Sequence, residues 1–473
     1  MCSHQAETRG AINALNPMQV LLRLAFSLLC IIPVSAGSAN AQAAQTITLN
    51  DAVRIAMDQN YLLKVSSNTV RQRENTLRGA RYFLVPGVSF STNAGRNFGL
   101  SFDQTTGNVV NYSSDRFGLS AGASMVVFSG MRDWAALRQA ELNVTGSGLD
   151  HERQRQQVVF TVMDQYLILI QARSQVGIQE ENLAAQQQLL AQIEEFVNAG
   201  SRPVSDLYQQ QAATANAELG VLDAQRNVEG AENRLIQTLQ LDPFGGYEFV
   251  VPDLSERDLI PEAYDVEELV RIAFDRRLDL RAREVDIGVS RQGIRIARGG
   301  WMPRLSLSAG AGTSYSSVQG FATGGRTVPF GTQLENNRSE SIGISLSVPI
   351  FDNFATKTAL QNAKISLNNA QLGLENLRQD IRLSVRQAHL DYLRDEKSLD
   401  VTEKQLAAAV QALEAAQERY NVGSSTLVEL AQAQSAYVAA ANNRVSAINS
   451  FFFRKLLIDY YTGVLDPSQP LFE

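Results

Sequence analysis

The chain has 473 residues, with 42 Lys and Arg against 49 Asp and Glu, and a formal net charge of −7. This mildly acidic composition argues against nucleic-acid binding, which requires a basic face. The chain contains three histidines (His4, His151 and His389) and two cysteines (Cys2 and Cys30), too few for a zinc cluster or a disulfide framework. We therefore expect no enzymatic activity and no cofactor, although these counts alone leave other chemistry open.

The first 43 residues have the features of a secretory signal peptide. Arg23 precedes an apolar run of about a dozen residues, which is too short for a permanent transmembrane helix. Small residues follow, and cleavage is expected near Ala41 or Ala43; a retained anchoring helix is the alternative. After this leader, no apolar run approaches the ~20 residues of a spanning helix, so a membrane location would require strands.

The rest of the chain contains one pattern twice. Arg54–Ala56 recurs at Arg271–Ala273 with an offset of 217 residues, and Asn198–Ser201 recurs at Asn421–Ser424 with an offset of 223. Matches in the same order at nearly constant offset indicate an internal duplication. The predicted repeats are 44–260 and 261–473.

Each repeat is predicted to begin with a helix. The apolar periodicity places the first from Leu49 to Arg81 and the second from Tyr264 to Arg298. Asn50 and Asp265 are the expected N-cap residues, because their side-chain oxygens can accept hydrogen bonds from free amides of the first turn.

Four segments then alternate apolar residues with Ser, Gly and Asn. A period of two gives a strand one apolar and one small polar face. The predicted strands are 88–102 and 115–128 in the first repeat, and 304–317 and 340–351 in the second. Because the polar faces lack the Lys and Glu that usually cover a soluble sheet, an outer-membrane barrel is favoured over a soluble sandwich. Arg96 interrupts an apolar face and is expected to lie beyond the lipid.

Four strands are too few to close a barrel. They would span a circumference of only about 25 Å and leave both sheet edges unpaired in lipid. Other copies of the chain must therefore close the sheet. Two copies would give eight strands around a bore filled by side chains, whereas three would give twelve strands, a diameter of roughly 24 Å and an open lumen. We expect a homotrimer.

Each strand pair is followed by a long helical hairpin, predicted at 131–242 and at 353–465. In both, a long segment without proline leads to a Gly-centred turn, and the helices are rich in Ala and Gln. The apolar positions form a thin stripe, which favours coiled-coil packing over a globular core. A soluble coiled-coil scaffold or adhesin would explain the helices equally well but would leave the strands unexplained.

The order and repetition of these features resemble the TolC-like outer-membrane efflux proteins. Besides the duplicated helix–strand–strand–hairpin unit, the resemblance is carried by Pro86 and Pro303 before the strands and by Phe128 and Phe351 after them. It covers essentially the whole mature chain. It implies a mainly α channel-tunnel with membrane β-structure, in which long antiparallel hairpins form an α-barrel and four strands per chain contribute to a 12-strand trimeric β-barrel.

The resemblance also implies a function. Such a protein is a passive channel in the outer membrane that extends into the periplasm, contacts outer-membrane lipid, and binds no nucleic acid. Drugs, small toxic compounds or secreted proteins would reach it from an inner-membrane RND, ABC or MFS transporter through a periplasmic adaptor (membrane fusion) protein, as in tripartite efflux or type I secretion. A periplasmic enzyme is the remaining alternative.

By the same resemblance, the channel would be closed at rest at the periplasmic helix tips. Asp206 lies six residues after Gly200 and Glu429 six after Gly423, and the family has lumen-facing carboxylates at these positions. In a trimer each would form a ring of three carboxylates, which favours cations. The alternative is that they are solvated residues favoured at a helix start by the helix dipole.

Two further residues complete the predicted gate. Tyr420 resembles a family tyrosine that bonds to the first hairpin, with Asp206 as the expected acceptor. The family often has a basic residue two positions after the second glycine, where this chain has Ser425, whereas Arg202 follows the first glycine. The adaptor is expected to dock at the turns, at Gly200, Ser201, Gly423 and Ser424.

Aromatic residues are predicted at the periplasmic membrane interface. Tyr82 and Trp301 stand just before the first strand of each repeat, close to Pro86 and Pro303, and suit an aromatic girdle. Simple packing is the alternative.

Overall fold

The computed structural model describes residues 45–103, 108–250, 260–317 and 328–466. The predicted signal peptide at 1–43 lies outside these residues. The chain divides into two compact units, and the larger comprises Thr46–Gly245 and Phe249–Glu473. Of the smaller unit, the described residues are Gln45 and Gly246–Glu248, and the Gln45 amide donates to the Gly246 carbonyl at 3.0 Å.

Long helices dominate the described chain. The elements in chain order are β1 (Gln45–Ile47), α1 (Leu49–Gln59), α2 (Tyr61–Arg81), β2 (Gly87–Asp103), β3 (Asn108–Phe128), α3 (Arg132–Asn198), α4 (Val204–Leu239), β4 (Tyr247–Phe249), α5 (Val266–Arg276), α6 (Leu278–Arg298), a 3-10 turn (Gly299–Trp301), β5 (Arg304–Ser316), α7 (Phe330–Asn336), β6 (Ser339–Ser347), α8 (Ala355–Asn421) and α9 (Leu427–Thr462). No helix of the described segments is long and apolar enough to cross a membrane.

The helices of the two halves match in length. α1 and α5 have 11 residues each, α2 and α6 have 21, α3 and α8 have 67, and α4 and α9 have 36. Their starting positions differ by 217 residues in the first two pairs and by 223 in the last two, as in the sequence matches. At 1.5 Å per residue, α3 and α8 are each about 100 Å long.

The predicted first helix of each repeat is wrong in one respect, because each is broken once. Asn60 separates α1 from α2 with ψ at 129°, and Arg277 separates α5 from α6 with ψ at 123°. Such extended values cannot continue a helix. The Asn60 side chain accepts from the Leu62 amide and donates to the Thr238 carbonyl at 2.9 Å, which fixes the break.

The N-caps agree with prediction in one repeat only. Asp265 caps α5 by accepting a hydrogen bond from the Glu267 amide. In the first repeat, however, the cap is Thr48 rather than Asn50. Thr48 forms a capping box with Asp51, in which each side chain accepts from the other residue's amide.

The main sheet contains four antiparallel strands in the order β2-β3-β5-β6. Two predicted bounds change by more than one residue. β3 begins at Asn108 instead of 115, because β2 pairs with it along its whole length, from Gly87 opposite Ser124 to Asp103 opposite Asn108. β6 ends at Ser347 instead of 351, just before Pro349, which has no amide hydrogen to donate to a ladder.

The register places the apolar positions of all four strands on one face. Phe90 lies opposite Ala121, Ala121 opposite Ala311, and Ala309 opposite Ile342. On the same face, Arg96 lies opposite Asp115 and forms an ion pair with it, with Nη2 and Oδ2 at 2.8 Å. A carboxylate therefore accompanies Arg96; its position relative to lipid stays a prediction.

The helices follow the strands in the same lateral order. α2 leads into β2, β3 leads into α3, α6 leads through the 3-10 turn into β5, and β6 leads into α8. α2 packs on α3, α3 on α6, and α6 on α8. Each strand is thus continued by one helix of an adjoining layer.

A buried ion pair joins α8 to α9 beside an apolar core. Tyr392 and Phe451 are fully buried in that core, with ring centroids 5.3 Å apart. One turn after Tyr392, Asp395 accepts hydrogen bonds from Arg454 at 2.8 Å and from Arg394 at 2.7 Å. Its side chain is only 5% exposed, so water cannot replace these partners.

We predict that Asp395→Asn lowers the free energy of unfolding by about 2 kcal/mol, because it removes charge-assisted hydrogen bonds from a buried site. Guanidinium unfolding of the detergent-solubilised protein, followed by circular dichroism, measures this change. Asp400→Asn is the matched control, since Asp400 pairs with Lys397 and Lys404 on the same helix but is 43% exposed. Equal effects of the two substitutions would contradict the prediction.

Candidate functional site at the hairpin tips

The two hairpin turns have the same backbone geometry. Gly200 has φ of +72° and Gly423 has φ of +80°, the positive values that the sequence predicts. The amides of Gly200 and Ser201 donate to the carbonyls of Val197 and Phe196, each at 2.9 Å. The second turn repeats both bonds, so each long helix ends in a Schellman motif.

The serines after the glycines also close the helix ends. The Ser201 hydroxyl donates to the Phe196 carbonyl at 2.9 Å, and the Ser424 hydroxyl donates to the Arg419 carbonyl at 3.1 Å. The four turn residues, Gly200, Ser201, Gly423 and Ser424, are all exposed. They form the rounded ends of the two hairpins and leave their surface available for contact.

The two tips pack together through a small apolar cluster. We call the segments 196–207 and 419–430 the hairpin tips. The cluster joins α3, α8 and α9, and its buried members are Ile193, Ala416, Tyr420, Leu427 and Leu430. Leu207 of α4 packs against it, so that all four long helices contribute. The cluster holds the two hairpins of one chain against each other.

Arg202 links the first tip to Tyr420 of the second. Its Nη2 donates to the Tyr420 carbonyl at 2.9 Å, and its guanidinium carbon lies 4.5 Å from the centroid of the Tyr420 ring. The first contact is a charge-assisted hydrogen bond and the second a cation–π interaction. Arg202 therefore contacts both the backbone carbonyl and the aromatic ring of Tyr420.

The expected hydrogen bond from Tyr420 to Asp206 is absent. The Tyr420 ring is fully buried in the apolar cluster, and its hydroxyl has no hydrogen-bond partner within the described chain. Burial raises the pKa of Tyr420, so the phenol stays neutral. Arg202 covers the face of the ring and takes over the link that Asp206 was expected to make.

The two predicted gate carboxylates lie near the starts of α4 and α9. Asp206 is half-buried, and the Ser205 hydroxyl lies 3.5 Å from its Oδ1. Glu429 is exposed and accepts a hydrogen bond from the Ser425 hydroxyl at 2.6 Å. Ser425 stands two positions after Gly423, where the resemblance to the family implies a basic residue. Its hydroxyl is a neutral hydrogen-bond donor. Within the described residues, neither carboxylate forms an ion pair.

The residues before the strands lie at the opposite end of the long helices. Pro86 directly precedes β2 and Pro303 directly precedes β5. Tyr82, at the end of α2, is 61% exposed, and Trp301, which ends the 3-10 turn, is 50% exposed. Both aromatic side chains are therefore free to contact a membrane surface.

Comparison with known proteins identifies the family. The sequence profile of the family described as outer membrane efflux protein matches residues 52–239 and 269–451, one segment in each predicted repeat. Outer membrane protein TolC of Escherichia coli (strain K12) is 22% identical over 342 residues, which cover 71% of this chain and 67% of that protein. Outer membrane efflux protein BepC of Brucella suis is 22% identical over 399 residues, 84% of this chain and 81% of that protein.

A solved structure confirms the predicted fold class. The outer membrane protein VceC from Vibrio cholerae superposes with a TM-score of 0.73 at 16% identity, covering 88% of this chain and 96% of that one. Together with the profile match to both halves, this similarity confirms the predicted resemblance. The chain belongs to the outer membrane efflux protein family and is an outer-membrane transport channel of the TolC type.

Proposed function

We propose that three copies of this chain form one channel, which gives substrates a passive exit through the outer membrane. Drugs, small toxic compounds or secreted proteins would arrive from an inner-membrane transporter through a periplasmic adaptor that docks on the exposed hairpin turns. The observation that carries the proposal is a four-stranded sheet with an exposed apolar face and two unpaired edges.

The sheet edges call for other copies of the chain. Within the described residues, β2 and β6 each have one neighbour, and Phe98 of β2 and Ile342 of β6 are 78% and 85% exposed. Unpaired backbone groups in lipid cost several kcal/mol each. Because β6 runs opposite to β2, β6 of one copy can pair in antiparallel fashion with β2 of the next.

The helices offer a matching surface for the same contact. Several large apolar side chains of α8 are exposed in the single chain: Ile365, Leu372, Leu383, Leu390 and Leu393. Two pairs among them are spaced by seven residues, the repeat of a coiled-coil seam. We propose that this stripe packs against a helix of the adjacent copy.

Neighbouring residues of β6 test which face meets lipid. Ile344 lies opposite Leu307 on the apolar face, whereas Ser345 lies opposite Ser306 on the polar face. Ile344→Lys should cost about 2–4 kcal/mol in the membrane and deplete the trimer from the outer-membrane fraction. Ser345→Lys should assemble and shift the channel towards anions.

Membrane fractionation, size analysis in detergent and planar-bilayer recording measure these outcomes. A soluble monomer, or a chain that tolerates Lys at 344 but not at 345, would reject the proposed channel.

We further propose that the hairpin tips form the resting closure. Arg202 and the apolar cluster hold the two hairpins of one chain together, and opening requires them to part. Three copies would bring three such pairs of tips around one axis, with the carboxylates of Asp206 and Glu429 among them. Tyr82 and Trp301 would mark the periplasmic membrane interface at the other end.

Replacing the carboxylates tests their position. Asp206→Ala with Glu429→Ala should raise single-channel conductance and reduce cation preference, because six carboxylates leave the narrowest part of the trimer. Reversal potentials in a salt gradient report the selectivity. Glu218→Ala with Asp223→Ala removes the same charge from exposed positions of α4 away from the tip. A shift no larger than that of this control would reject the assignment.

Replacing Arg202 tests the closure itself. Arg202→Ala should increase the open population at least tenfold, since losing its contacts to Tyr420 removes roughly 1–2 kcal/mol in each of the three chains. Single-channel recordings at low voltage measure the open fraction. Arg226→Ala removes an exposed arginine from α4, beyond the tip, and should leave gating unchanged. Identical recordings for the two variants would contradict the proposal that Arg202 stabilises the closed state.

A further inference from the structure

Two cavities lie where the strands meet the helices, and Gly299 and Met302 line both of them. The first is lined by Val126, Arg304 and Ser347, which share the small polar face of the sheet. The second, of about 290 Å³, lies between the start of α3 and the end of α6. We call the second cavity the junction groove. Its lining residues include Met131, Trp134, Arg138, Arg295, Arg298 and Met302.

The helix geometry shows which side the groove faces. Met131, Trp134 and Arg138 are spaced by three and four residues and lie along one face of the beginning of α3. Arg132 and Asp133, which line the first cavity, project from a roughly opposite direction. Since the first cavity opens on the polar side of the sheet, the junction groove opens on the apolar side.

The groove combines positive charge with exposed apolar surface. Met131, Trp134 and Met302 are all more than half exposed. Beside them, Arg295 bonds only the Gln292 side chain, and Arg298 has no ion pair among the described residues. Arg138 is paired with Glu141, at 2.7 Å. The lining itself contains no carboxylate, so its net charge is positive.

A shallow trough of small residues lies farther along β3 and β5. It has a volume of about 570 Å³ and is lined by Ala121, Ala123, Ala309 and Ala311, with Val88 and Ile342 at its sides and Glu340 at the end distant from the groove. These residues all belong to the apolar face. Ala123 lies five residues before Phe128, or roughly 16 Å along the strand. That distance is close to the depth of one leaflet, about 15 Å.

We propose that the junction groove binds the headgroup of an anionic phospholipid of the periplasmic leaflet, and that the end of one of its acyl chains reaches the alanine trough. The inference rests on the proposed function, since it requires the apolar face to meet lipid. Guanidinium groups match phosphate oxygens in geometry and charge. A small soluble anion would make no use of the exposed apolar surface of Trp134, Met131 and Met302.

Trp134 provides a direct reporter of occupancy. The chain has two tryptophans, and Trp134 lies in the groove. Trp301→Phe therefore leaves Trp134 as the only tryptophan of each chain. Brominated phosphatidylglycerol titrated into the detergent-solubilised trimer should quench Trp134 at lower concentration than brominated phosphatidylethanolamine does. The preference follows from the net negative charge of the first lipid, because both carry a phosphate.

Substitutions in this background test the arginines. Arg295→Gln with Arg298→Gln should weaken phosphatidylglycerol binding about 30-fold, the equivalent of about 1 kcal/mol for each basic residue near a lipid surface. Arg281→Gln with Arg291→Gln makes the same charge change at exposed positions of α6 outside the groove and should have little effect. If the double variant fails to assemble, Arg298→Gln alone should weaken binding about fivefold.

The possible outcomes separate this inference from the proposed channel. A conducting trimer that binds both lipids equally, or that loses as much affinity in the control variant, would overturn the lipid site and leave the channel intact. A chain that forms no membrane trimer would remove both. Selective loss in the groove variants, with normal trimer size and conductance, would support the site.

Discussion

The hydrogen-bonding groups at the edges of a four-stranded sheet govern the structure of this protein. A sheet with an apolar face is suited to lipid, but lipid supplies no partner for the amides and carbonyls of an edge strand. In the described residues, the main sheet contains three strand pairings and leaves one edge of β2 and one of β6 open. In the proposed channel, completion of the sheet therefore requires more than one copy of the chain.

The helices extend this arrangement away from the membrane. Because each strand is joined to one helix and the helices keep the lateral order of the strands, the chains that would close the sheet in the proposed trimer would also bring their hairpins together. The contacts that stabilise the structure differ in kind between the strands, the middle of the long helices and the hairpin tips. Apolar strand faces are suited to lipid at one end, a buried ion pair at Asp395 stabilises the helices further along, and Arg202 joins the hairpins at the tips.

Most of the architecture could be predicted because it follows from periodicity. A period of two identified the strands, long segments without proline identified the hairpins, and two glycines marked turns that need positive φ. Local exceptions were harder. The break at Asn60 depends on a bond to Thr238, a residue distant in sequence, which no local pattern shows. The Thr48 cap could have been found, because Asp51 stands in the third position of a capping box.

The site was predicted less completely than the fold. Sequence comparison placed Tyr420 and Arg202 at the tips, but it assigned the tyrosine to Asp206. The interaction partner of Tyr420 depends on which side of its ring is buried. Tertiary packing among α3, α8 and α9 decides this. The groove of Arg295 and Arg298 was not anticipated, because its residues come from two helices far apart in sequence and acquire meaning only where those helices meet.

The equal lengths of α3 and α8, and of α4 and α9, have a consequence for symmetry. In an assembly of three chains, six hairpins of nearly identical backbone would surround the axis, so the tube would be almost hexagonal in outline. The side chains at the tips would not have sixfold symmetry, because Arg202 follows one glycine of each chain and Ser425 follows the other. Junctions between tips that contain Arg202, within a chain, would alternate around the rim with junctions between chains, and dilation would proceed by three equivalent movements instead of six.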